Sequence, residues 1–142
     1  FRRVLFRSGG IYLKEEGGYE ILLKSLTHYE KRLKTIHLSP ELKEAAAMFA
    51  PVLQSQARKR VPMIKEAKEK IEKILLDTMP IQSLEQDLEI LTKALECYKA
   101  DIEKAENTGV EYFVKLLGNV QEARKDLEPI NDALIKIKQY SD

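Results

Sequence analysis

Residues 83–105 read SLEQDLEILTKALECYKADIEKA, and this stretch decides the fold. Leu84, Leu88, Leu91, Leu95, Tyr98, Ile102 and Ala105 follow one another by alternating steps of four and three residues over three heptads. At 3.6 residues per turn that spacing puts every apolar side chain on one helical stripe, while the Lys and Glu between them face water. A strand would need strict alternation, so the segment is an amphipathic helix with a coiled-coil-like seam that requires partner helices. Ser83 with Gln86 three residues later has the form of a capping box, which predicts the helix start, and the preceding TMPIQ (78–82) reads as a loop.

Downstream, the phase carries through Asn107-Thr108-Gly109 to Tyr112 and Leu116. Two interruptions compete. Thr108-Gly109-Val110-Glu111 can form another capping box. At Gly118-Asn119, a glycine suited to a C-cap meets an asparagine suited to an N-cap with Glu122 three residues on, and the stripe skips from Leu116 to Val120. Cap chemistry and phase change coincide there, so the break is expected at Gly118-Asn119. A last helix follows through Ala123, Leu127, Ile130, Leu134 and Ile137, with Pro129 either kinking it or marking its true start.

Upstream, Tyr19, Leu22, Leu26, Tyr29, Leu33 and Ile36 place a helix over 18–37. Ser39-Pro40-Glu41 then supplies an N-cap serine and a proline at the first helical position. The next stripe runs through Leu42, Ala46, Phe49, Leu53, Ala57, Val61, Ile64, Ile71 and Ile74 to about Asp77. Pro51 and Pro62 predict kinks on nearly the same face of this helix, with a break conceivable at one of them, and the stripe drifts between them. The short connections make neighbours antiparallel. The fold class is therefore all-α: an antiparallel bundle of four helices, two long and two short, in which 64–74 and 84–95 form a coiled-coil-like hairpin projection. A three-helix bundle with an unbroken helix from Ser83 is the alternative.

Composition agrees. Of 142 residues, 33% are charged and 44% apolar, with no tryptophan, six glycines and five prolines. That suits long amphipathic helices and is too apolar for disorder. Residues 1–8 (FRRVLFRS) share no pattern with the rest and resemble translated adapter sequence, so 1–10 is read as a non-native or disordered lead and 11–142 as a single helical-bundle domain. Charge is uneven: 13 basic against 10 acidic residues over 9–82, and 8 against 13 over 83–142. Opposite signs favour packing of the halves on each other and argue against a uniformly basic nucleic-acid surface. No membrane span or signal peptide is visible, and the lone Cys97 offers no intrachain disulfide, so a cytoplasmic setting is expected.

Candidate chemistry is sparse. His28 and His37 have no ligand-spaced His or Cys, so neither a metal site nor a cofactor is expected; His28 falls between stripe positions and is expected to face solvent, and His37 to complement a helix C-terminus. Cys97 is read as a helix-flank thiol that neighbouring Glu96 keeps protonated. Carboxylates spaced by four, Glu85 with Glu89 and Glu122 with Asp126, read as solvated helix surface. Tyr29, Tyr98 and Tyr112 could line a pocket between helices, though packing at the rim of the core is the expected role. No catalytic grouping emerges, so the chain is not read as an enzyme.

One stretch departs from its surroundings. Gln56, Arg58, Lys59 and Arg60 lie between the two prolines, and 58–73 holds seven basic and three acidic residues. These four residues are the candidate partner-binding site. The expected function is that of a non-enzymatic interaction or scaffold module, binding another protein or a second copy of itself. The alternative is contact with an anion or nucleic acid through 58–73. No aromatic residue interleaves with the basic cluster, which weakens the case for nucleic acid.

Overall fold

The computed structural model describes residues 18–40 and 50–141. The lead at 1–10, the stripe positions Leu42, Ala46 and Phe49, and the side chain of His37 lie outside the described residues. In chain order the helices are α1 (Gly18–Lys34), α2 (Ala50–Leu75), α3 (Leu88–Thr108), α4 (Glu111–Leu117), α5 (Val120–Arg124) and α6 (Leu127–Ser141), with 3-10 turns at Ile36–Leu38 and Ile81–Asp87. Among the described residues there is no strand, and no helix is long and apolar enough to cross a membrane. The architecture is an all-α helical bundle.

α1 and α3 form its centre. α1 packs against both α2 and α3, and α6 closes on both α3 and α1. The seam expected on α3 is buried: Leu91, Leu95 and Ile102 are fully enclosed, with Tyr98 and Ala105 nearly so. A second stripe beside it, Ile90, Ala94 and Asp101, is buried too. α1 shows the same doubling, with Ile21, Ser25 and His28 buried next to Tyr19, Leu22, Leu26, Tyr29 and Leu33. A helix flanked on two sides needs a wider inward face than a two-stranded seam supplies. On α2, Ala67 fills the gap between Ile64 and Ile71, and with Ile74 these residues share one core with Leu84, Leu91, Tyr19 and Leu22.

Helix ends follow local chemistry. α2 runs uninterrupted from Ala50 to Leu75 with Pro62 inside it. It stops in a Schellman arrangement, where Asp77 takes the left-handed position (φ 60°) and the Thr78 amide donates to the Lys73 carbonyl at 2.9 Å. Ser83 does not cap α3: its hydroxyl donates back to the Pro80 carbonyl at 2.7 Å within the 3-10 turn, and the α-helix begins at Leu88. The Ser39 hydroxyl donates to the Ile36 carbonyl at 2.7 Å, and any capping of amides at 41–43 lies outside the described residues.

The two candidate interruptions are both real. Gly109 adopts φ 65° and closes α3 by donating to Ala105, and Gly118 adopts φ 77° and closes α4. An added Cβ would meet nothing at either glycine, so backbone conformation rather than space is what calls for glycine. Asn119 caps α5, its side chain accepting from the Glu122 amide at 3.1 Å as its sequence context predicts. Pro129 is the third residue of α6 and marks its first turn, where a missing amide costs no intrahelical bond.

Candidate functional site

The four sequence-selected residues sit on α2 but do not share one surface. Gln56, Lys59 and Arg60 line a groove of about 360 Å³ together with Met63, with Gln86 and Asp87 of the 3-10 turn, and with Glu89, Ile90 and Lys93 from the start of α3. Arg58 points the other way, into a shallower groove with Leu33, Lys34, Ile36, Gln54, Ala57 and Val61. Arg60 is half-buried, and its Nη1 donates to the Tyr29 hydroxyl at 3.0 Å, so it ties α2 to α1 while having no ion pair among the described residues. Lys59 and Arg58 are exposed.

Much of the basic run beyond them is neutralised by other helices. Lys68 pairs with Glu30 of α1 at 3.5 Å. Lys70 pairs with Asp87 at 2.8 Å as well as with Glu66 on its own helix. The hydrogen bond to Asp87 is the main reason the Lys70 ammonium is held above its ordinary pKa. Arg58, Lys59 and Arg60 stand together in the first half of α2 with no ion pair among the described residues, and Lys65 and Lys73 stand singly beyond them.

A second constellation lies between α1 and α3. His28, expected in solvent, is buried, and its Nε2 lies 2.8 Å from Oδ2 of Asp101, which is itself 1% exposed. Arg32 Nε donates to the same oxygen at 3.0 Å, and the Cys97 thiol lies 3.7 Å from it. A carboxylate beside a guanidinium can only accept, which places the His28 proton on Nε2. The Arg32 guanidinium also lies 5.4 Å from the ring centres of both Tyr112 and Phe113, joining α4 to the cluster by cation–π contact. Burial, and then the Asp101 carboxylate, push the Cys97 thiol up to about 12; the neighbour responsible is Asp101, one turn on, rather than Glu96.

The fold thus creates a His-Cys-Asp grouping that spacing along the chain did not reveal, with ligand atoms all within 4.8 Å of one another. Its chemistry opposes a cation. Arg32 already delivers a positive charge to the carboxylate oxygen that would have to bind the ion, and the thiol would have to lose a tightly held proton. The grouping is a closed hydrogen-bond network around one buried carboxylate. The available signal was the i, i+4 pairing of His28 with Arg32 and of Cys97 with Asp101 on two helices, each just beside the main apolar stripe.

The three tyrosines do not converge on a ligand. Tyr29 bonds Arg60, Tyr98 donates to Asp126 Oδ2 at 2.7 Å, and the Tyr112 hydroxyl bonds that of Thr35 at 2.9 Å. Each hydroxyl anchors a different helix contact. Burial is the chief cause that drives the Tyr98 phenol well above its usual range, with the Asp126 carboxylate adding to it. An open groove of about 610 Å³ passes His28 and Tyr98, but its charges oppose one another, Lys24 pairing with Asp126 at 3.4 Å and Lys31 donating to the Leu116 carbonyl at 3.0 Å. Comparison with family models, with curated proteins and with solved structures finds no match to this chain.

Proposed function

We propose that the chain is a non-enzymatic helical interaction module whose partner surface is the early part of α2. The observation that carries this reading is the row Val52, Gln56, Lys59 and Met63, spaced by four, three and four and exposed throughout. Val52 is 52% and Met63 51% exposed. A helix that leaves apolar side chains in water on a face beside its buried stripe is suited to being covered by another helix.

The inward polar groups support the same reading. Asp101, His28, Arg32 and Cys97 bond one another inside the core, so their capacity goes to holding α1, α3 and α4 together. The pairing of Lys68 with Glu30 and Lys70 with Asp87 favours a protein partner over a phosphate backbone, because it removes charge that a polyanion would need. The test combines light scattering with affinity capture from a native lysate, using wild type and Lys59→Glu. Specific capture, or self-association, that Lys59→Glu removes without altering the melting temperature is expected. A monomer that captures nothing at any concentration would end this reading.

A further inference from the structure

We infer that the groove between α2 and the start of α3 receives one acidic amphipathic helix from a partner protein. The inference rests on the reading of the chain as an interaction module and names the chemistry of the partner. Its first support is register. Val52, Gln56, Lys59 and Met63 continue by sevens and fours into Ala67 and Ile74, which are buried in the core. The exposed row is therefore the extension of a covered helix face beyond the point where the chain's own helices cover it. From Val52 to Met63 it rises over three turns, roughly 16 Å, the length that an i, i+4, i+7, i+11 row of a docking helix spans.

The second support is charge. Lys59 has no ion pair among the described residues, and Arg60 gives its hydrogen bond to a neutral phenol. On the opposite wall, Asp87 is taken by Lys70 and Glu89 by Lys93 at 3.1 Å. The walls thus cancel except for Lys59 and Arg60, and a helix entering with carboxylates toward α2 would pair both. Nearly buried Ile90 in the groove and half-exposed Met63 at its edge would take its apolar row. Methionine adapts readily to a partner's side chains. The chain's own residues 1–17 carry Arg2, Arg3, Arg7 and Lys14 against Glu15 and Glu16, the wrong net sign to compete.

The experiment is a display selection on the full chain, using helical peptides with a fixed apolar row and randomised flanking charges. Enriched peptides are expected to be acidic on one flank and to lose affinity about tenfold or more with Lys59→Glu and with Met63→Asp, while Arg58→Glu leaves binding unchanged. Circular dichroism melts of each variant establish that folding is intact. Basic or neutral winners, or acidic winners indifferent to Lys59→Glu and Met63→Asp, would overturn the groove assignment. Acidic winners lost only with Arg58→Glu would move the docking site to the opposite face and leave the interaction reading standing. A concentration-dependent dimer abolished by Lys59→Glu would assign the groove to a second copy of the chain and remove the acidic-partner inference. A selection that enriches nothing, alongside a lysate capture that Lys59→Glu abolishes, would overturn the helical occupant alone.

Discussion

The two polar clusters of this bundle, one around Asp101 and one around Lys59, both bring an arginine near carboxylates and behave oppositely. Around Asp101, a carboxylate, a guanidinium, an imidazole and a thiol are withdrawn from water and bonded to one another. Around Lys59, charge stands on an exposed helix face with no ion pair among the described residues. Chain patterning pointed to the second and passed over the first. Clustering along the sequence marks where charge is plentiful, whereas burial decides whether each charge is structural, and burial is set by how many helices surround a given face.

The largest expected effect lies at the buried cluster. Asp101→Ala leaves Arg32 and His28 without their shared acceptor and should destabilise by about 3–5 kcal/mol, the usual cost of breaking a buried pair by removing one member. Urea unfolding measures it, and a loss under about 1 kcal/mol would show that water replaces the carboxylate. Leu91→Ala or Leu95→Ala should each cost roughly 2–5 kcal/mol, since both side chains are fully buried and truncation leaves a cavity. A change below about half a kcal/mol would mean that the bundle collapses onto the vacated space.

Cys97 sharpens the comparison chemically. With its thiol held up to about 12 by burial and Asp101, the folded protein at pH 8 should be alkylated by iodoacetamide on the order of 100-fold or more slowly than the urea-unfolded chain. Rising pH should increase the folded-state rate by about tenfold per unit as the small thiolate fraction grows, whereas the unfolded chain should level off once pH passes the ordinary thiol range. Equal rates in the two states would show that the cluster is open to solvent.

A smaller effect should come from Ser25. Its hydroxyl is the one buried side-chain polar atom among the described residues without a hydrogen bond. Ser25→Ala removes that unmet group and substitutes a better helix former, so stability should hold or rise by up to about 1 kcal/mol. A clear loss in thermal melts would reveal a partner for the hydroxyl in solution.

Much of the fold was legible because apolar spacing is written directly into the chain. Leu91, Leu95, Ile102, Leu22 and Leu26 fall where their period puts them, and Asn119 caps its helix as its neighbours demand. What misled was the assumption of a narrow seam. A coiled-coil pattern assigns His28 and Asp101 to the flanks, but α1 and α3 each have helices on two sides, so the flank is also core. Ser83 misled for a local reason: a serine after proline can satisfy its hydroxyl backward on the Pro80 carbonyl as well as forward on a helix amide. Of the candidate site, Gln56, Lys59 and Arg60 were legible as neighbours, while the divergence of Arg58 depends on which helix flanks which side of α2.

One charge reversal made at two places tests the division most directly. Arg32→Glu and Lys59→Glu each change net charge equally, and their urea-unfolding free energies can be compared under one buffer condition. Arg32→Glu sets a second carboxylate against Asp101 and removes the cation from the Tyr112 and Phe113 rings, so a loss of about 3 kcal/mol or more is expected. Lys59→Glu should stay within about half a kcal/mol of wild type. Equal losses at the two sites, or the larger loss at Lys59, would contradict the separation of structural from available charge on which the account rests.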